Sequence, residues 1–107
     1  MKRCFQIDSR DNVATLLEDA EQGPVEVLGA TRGGIEIAEP IEMGHKVALQ
    51  AIAEGALVMK YGVPIGIAAR AILRGEWVHL HNCRSQVDQR SSAFDPHSGA
   101  ATDAVYE

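Results

Sequence analysis

Aromatic side chains are scarce in this 107-residue chain, which has one tryptophan, two tyrosines and two phenylalanines. Positive charge is also short: ten Lys and Arg face fifteen Asp and Glu, for a net charge of −5. A nucleic-acid surface needs a basic stripe and, for single strands, stacking rings, so both shortages argue against that class of partner. No apolar run approaches the ~18 residues that a membrane span requires, and the N-terminus MKRCFQIDSR is too short and too polar for a signal peptide. Cysteine is limited to Cys4 and Cys83, with no CxxC and no disulfide-dense spacing. The expectation is two free thiols in a reducing cytoplasm. HExxH, the Gly-rich phosphate loops and a Ser-His-Asp arrangement are all missing too. What is left is one small domain, able to bury a modest core and inclined to lean on partners.

The main feature present is a repeat. Ile41 to Leu49 reads IEMGHKVAL, Ile52 to Lys60 reads IAEGALVMK, and Ile72 to Leu80 reads ILRGEWVHL. All three share the form Ile-x-x-Gly-x-x-Val, with spacings of 11 and then 20 residues that rule out a solenoid of fixed period. Each copy reads as a polar turn that ends at a glycine, where positive φ carries no Cβ penalty, followed by a strand with alternating apolar positions.

The rest of the chain is punctuated by short elements. Val25 to Leu28 and Ile35 to Ala38 read as a hairpin around Gly29, Gly33 and Gly34. Val13, Leu16, Leu17 and Ala20 share one face of a helical spacing, which predicts a short helix capped by Asp11 or Asn12 and stopped at Gly23-Pro24. Tyr61 to Gly66 reads as a turn, and Ile67 to Leu73 as a second short helix. The result is a mainly-β domain over residues 1–83 with short helices. Residues 84–107 form a polar C-terminal extension, in which Phe94, Val105 and Tyr106 are candidate anchors for a neighbouring chain.

Candidate chemistry concentrates on histidine and lysine. In GEWVHLHNC an extended strand would put His79 and His81 on one face, with Val78 and Leu80 turned to the core. Two imidazoles suit a divalent metal, but a catalytic site takes at least three protein ligands; spacing alone leaves a ligand pair and a solvated face both open. His45 and Lys46 follow a turn glycine and can pair with a carboxylate, or stand as a solvated basic pair. Tyr61 can orient a polar substrate, or pack over Pro64.

Taken in order, DNVATLL, PIEMGHKVAL, IAEGALVMKYGVPIGIA and GEWVHLHN span about residues 10–83, and this order resembles the SAF-type domain of the altronate and galactarate dehydratase family. The resemblance implies a β-clip fold and a sugar-acid dehydratase, a hydro-lyase that uses a divalent metal, Fe2+ first and Mn2+ second. Family members carry this domain either at the N-terminus of a much longer protein or as a small subunit beside a large catalytic one. The GHK element falls on Gly44 to Lys46, the KYGxPIG element on Lys60 to Gly66, and the HxHN element on His79, His81 and Asn82. The implied roles are substrate contact at His45, Lys46 and Tyr61 and metal contact at His79 and His81. Trp77 stands where relatives often have a further histidine. The expectation is a cytoplasmic small subunit in an oligomer, inactive alone, whose partners are a large dehydratase subunit and a sugar acid, with neither nucleic acid nor membrane involved. Two alternatives stay open: the small subunit of a sulfolactate sulfo-lyase, and a non-catalytic SAF-type carbohydrate-binding or assembly module.

Overall fold

A computed structural model describes residues 1–85; the expected anchors Phe94, Val105 and Tyr106 lie outside the described residues. Among the described residues nine strands follow one another: β1 Lys2–Gln6, β2 Val13–Leu16, β3 Gly23–Gly29, β4 Gly33–Ile37, β5 Lys46–Ala48, β6 Leu57–Lys60, β7 Val63–Ala68, β8 Trp77–Val78 and β9 Cys83–Ser85. Six of them form one sheet in the order β4-β3-β1-β2-β5-β8, and three form another in the order β6-β7-β9. Among the described residues only β1 and β3 run parallel, and the other pairs are antiparallel. The expected hairpin is β3–β4, where Val25, Val27, Ile35 and Ile37 point inward at every second position.

The three repeats fold alike. In each, a backbone N–H closes a four-residue turn on the carbonyl three residues earlier: His45 on Glu42 at 3.1 Å, Ala56 on Ala53 at 2.9 Å and Glu76 on Leu73 at 3.1 Å. The glycine at the third position has φ of +87°, +85° and +90° in turn, as a type II turn requires. Each of these glycines also donates its amide across the fold: Gly44 to Leu16, Gly55 to Ala68 and Gly75 to Ala48. The leading isoleucines, Ile41, Ile52 and Ile72, are buried, as are Val47, Val58 and Val78. Ile52 and Ile72 exchange both backbone hydrogen bonds at 2.8 Å, so the second and third copies are stitched directly together.

Two apolar clusters result. Leu16, Val25, Ile37, Ile41 and Val47 are among the residues of the first, while Val13, Ala48, Ile52, Val58, Ile72 and Val78 are in the second. Burial at about 25 cal/mol per Å2 makes such clusters the main source of stability in a domain this small.

The two expected helices are absent; there is no helix among the described residues. Residues 13–16 are a strand because β2 lies between the clusters, with Val13 in one and Ala14 and Leu16 in the other. Burial on both faces erases the alternation and leaves a spacing that imitates a helix. Asp11 and Asn12 cap no helix. The Asp11 carboxylate accepts the backbone amides of Asp8, Tyr61 and Gly62. Asn12 mimics a strand: its Oδ1 accepts from Met59 N–H at 2.8 Å and its Nδ2 donates to the Leu57 carbonyl at 3.0 Å. In the stretch 67–73, β7 runs to Ala68 and the chain then bends so that Ile72 can pair with Ile52; pairing overrides the helix propensity of the alanines. The expected turn at 61–66 is shorter, at Tyr61-Gly62, and Pro64 sits inside β7. It is tolerated opposite Met59, where the register shifts and the ladder is already interrupted.

Candidate functional site

The site is built where the first and third repeats meet. Strands β5 and β8 pair with Val47 opposite Trp77 and Lys46 opposite Val78. Continued by one residue, that register sets His45 across from His79, on the same face as Trp77. Their ring centroids lie 5.1 Å apart. Trp77 joins them, 5.6 Å from His45 and stacked on His79 at 5.3 Å with 9° between the planes. His81 lies against the same indole at 4.8 Å, tilted by 41°.

The expected strand through His79 and His81 stops at Val78. Residues 79–82 are a turn, which Asn82 holds in place. Asn82 Oδ1 accepts the His79 amide at 3.0 Å, and its Nδ2 donates to the Trp77 carbonyl at 2.8 Å. The backbone amides of Asn82 and Cys83 both donate to the His79 carbonyl. Both imidazoles still reach one cluster, but through a turn and an indole and not through strand alternation. Leu80 is 59% exposed and so is not the core residue that alternation predicts.

A cleft of about 280 Å3 opens beside the rings, lined by Pro40, Ile41, Glu42, His45 and Trp77. Its volume is close to the lower end of small-molecule sites. The mouth carries a carboxylate, Glu42, and an imidazole, His45. Nearby, Glu39 Oε2 accepts the Trp77 backbone amide at 3.1 Å and fixes that end of β8. The Trp77 indole Nε1 donates to His45 Nδ1 at 3.2 Å.

Lys46 and Tyr61 are placed elsewhere. Lys46 is 3% exposed and lies with Val78 on the opposite face from His45. It borders a void of about 10 Å3 together with Ile65, His79, Leu80, Cys83 and Ser85. Burial pushes the Cys83 thiol up, and the Lys46 charge pulls it partly back. Tyr61 is 52% exposed at the β6–β7 turn, with φ +62° and the Lys60 ammonium 4.9 Å above its ring. It does not line the histidine cleft.

Two contributors were not legible as site residues. Trp77 reads in sequence as a lost ligand, yet it is the ring that the three imidazoles surround. Glu42 belongs to the first repeat and looks like a solvated turn residue until the fold brings it to the cleft. The available signal was the repeat itself, since pairing copies one and three in antiparallel register places positions 45, 77 and 79 together.

Imidazole suits iron or zinc, whereas manganese favours oxygen ligands. Among the described residues, however, no three His, Cys, Asp or Glu side chains are grouped to hold an ion. By themselves these residues do not fit a complete metal centre, which takes at least three protein ligands.

The paired repeats, the two sheets and this histidine cleft define a small all-β module, and residues 2–86 match the family model described as the altronate/galactarate dehydratase SAF domain. The chain belongs to that family. It is 41% identical over 87 residues to an altronate dehydratase of Bacillus subtilis, covering 81% of this chain and 17% of the relative. An altronate dehydratase of Escherichia coli is 42% identical over 84 residues, which is 78% of this chain and 16% of that protein. The alpha subunit of (2R)-sulfolactate sulfo-lyase from Chromohalobacter salexigens is 41% identical over 51 residues, covering 48% of this chain and 54% of the subunit. The chain thus spans under a fifth of the length of the dehydratases it matches. No helix among the described residues is long and apolar enough to cross a membrane.

Proposed function

We propose that this chain is the small subunit of an altronate-type sugar-acid dehydratase and works with a large catalytic subunit. The observation that carries the reading is the convergence of His45, His79 and His81 around Trp77, beside a cleft of small-molecule size, in a chain of this family. The reaction is β-elimination of water: a base takes the proton α to a carboxylate, and the β-hydroxyl leaves. Charge that builds up on the carboxylate needs fixed donors or cations. Here His45 donates to a substrate oxygen, Glu42 accepts from a substrate hydroxyl, and the Trp77 and Ile41 walls keep water out. The base comes from the large subunit. Lys46 and Tyr61, set apart from the cleft, would reach substrate only where the large subunit shapes a surface around them. A divalent metal, Fe2+ or Mn2+, belongs to the proposal as a group whose coordination the large subunit completes, with His79 and His81 lending imidazoles.

One observation favours a second reading, in which sulfite and not water leaves: the relative whose length this chain covers best among those above is a sulfolactate sulfo-lyase alpha subunit. Reconstitution with the large subunit, assayed on a panel of sugar acids and on sulfolactate, tests both. Water elimination from an aldonic or aldaric acid supports the first reading and sulfite release the second. A complex that turns over neither leaves a non-catalytic module.

A further inference from the structure

We propose that Trp77 is a positioning residue that fixes neutral His45 as its Nε2–H tautomer, which makes His45 a hydrogen-bond donor in the cleft and withholds it from metal ligation. An indole N–H can only donate, so the contact of 3.2 Å between Trp77 Nε1 and His45 Nδ1 requires a lone pair on Nδ1. A neutral imidazole has one lone pair and one N–H. With Nδ1 accepting, the hydrogen sits on Nε2, and no nitrogen of His45 is left to bind an ion.

The indole is held firmly enough to impose this choice. Its residue is tied at both ends of the backbone, through N–H to Glu39 and through C=O from Asn82. Its ring is stacked on His79 and flanked by His81. With the backbone fixed by these two bonds, a swing of the indole that released Nδ1 would have to break the stack on His79.

The consequence concerns what the cleft can select, and it rests on the proposed function in taking that cleft as the substrate's. His45 offers a donor where Glu42 offers an acceptor. A hydroxy acid satisfies both, with a carboxylate oxygen on Nε2–H and a hydroxyl on Glu42. A bare cation meets only the Glu42 carboxylate, because His45 in this tautomer turns an N–H and no lone pair toward the cleft.

The test uses the 15N-labelled 107-residue chain, at a pH where its imidazoles are neutral, and needs no substrate. Long-range 1H–15N spectra should show His45 wholly as the Nε2–H form, with a 15N–15N coupling across the hydrogen bond to the Trp77 indole. Trp77→Phe keeps a ring for His79 to stack on but has no N–H; it should abolish the coupling and populate both tautomers. Titration with Zn2+ should then show at least about 10-fold tighter binding by Trp77→Phe than by the natural chain, the scale on which groups that orient a ligating histidine act. An Nδ1–H form of His45 in the natural chain overturns the proposal, as does equal Zn2+ affinity in the two proteins. If Trp77→Phe fails to fold, the coupling in the natural chain decides alone. Because none of these readouts involves turnover, an inactive complex would count against the proposed function and not against this role for Trp77.

Discussion

Asn82 closes the turn that carries His79 and His81, and a buried amide of this kind has no cheap replacement. Asn82→Ala strands the His79 amide and the Trp77 carbonyl, at an expected cost of about 1–3 kcal/mol in urea unfolding. Asn82→Asp keeps the acceptor, loses the donor and sets a carboxylate against a carbonyl, so it should be no better than alanine. Equal stability of all three proteins would show that the turn holds itself. Leu80→Ala, by contrast, should cost well under 1 kcal/mol, since surface changes usually lie within about 0.5 kcal/mol. Cys4 offers a pH test: burial pushes its thiol from 9.0 up to about 11. The fold prefers the neutral thiol, so its contribution is complete below about pH 9 and is lost as pH rises through 11. At about 1.4 kcal/mol per unit, the loss is on the order of 2–3 kcal/mol. Cys4→Ala should flatten that part of the stability profile relative to the natural chain; parallel profiles would refute it. At this scale, sequence reading reached His45, His79 and His81 through motifs. It reached Asn82 only as part of the HxHN motif, without its turn-closing role, and it missed Trp77 and Glu42 as site residues, because their partners are set by the turn and the cleft and not by neighbours in sequence.

Among the elements, the repeat was legible because a glycine at positive φ followed by a buried valine is a local requirement, met in sequence before any tertiary contact. Strand β2 was not, because its double burial is a property of the two clusters around it. The three turns also provide an internal control. Gly44, Gly55 and Gly75 share one backbone conformation, but a Cβ at Gly55 meets open space while one at Gly75 collides with the Glu36 carbonyl oxygen. Gly55→Ala should therefore cost only the backbone strain, about 1–2 kcal/mol. Gly75→Ala should cost that plus displacement of β4 or of its own turn, more than about 3 kcal/mol in total. Equal losses in chemical denaturation would mean that the Glu36 backbone yields freely.

For the whole molecule, two clusters joined through β2 and a cleft at the β5–β8 seam give a stable platform that presents rings to something else. The cleft offers a donor, an acceptor and apolar walls, and the proposed function assigns the base that takes the α-proton to the large subunit. Turnover should accordingly be undetectable for this chain alone and should appear when the large subunit is added. Within that complex, His45→Ala and His79→Ala remove half-buried rings at the edge of the first cluster, so the sheets should persist by circular dichroism. Each should lower kcat/KM by about 10-fold or more, the loss expected when a group orienting substrate or metal is removed. The pair can be told apart by substrate. If His45 binds the carboxylate, His45→Ala should be partly offset when the assay uses the corresponding amide, which makes little demand on a charge-stabilising donor. His79→Ala should penalise acid and amide alike, because its ring supports Trp77 by stacking. Full activity in both variants, with the complex intact by gel filtration, would make the histidine cluster a surface feature and move the chemistry entirely onto the large subunit.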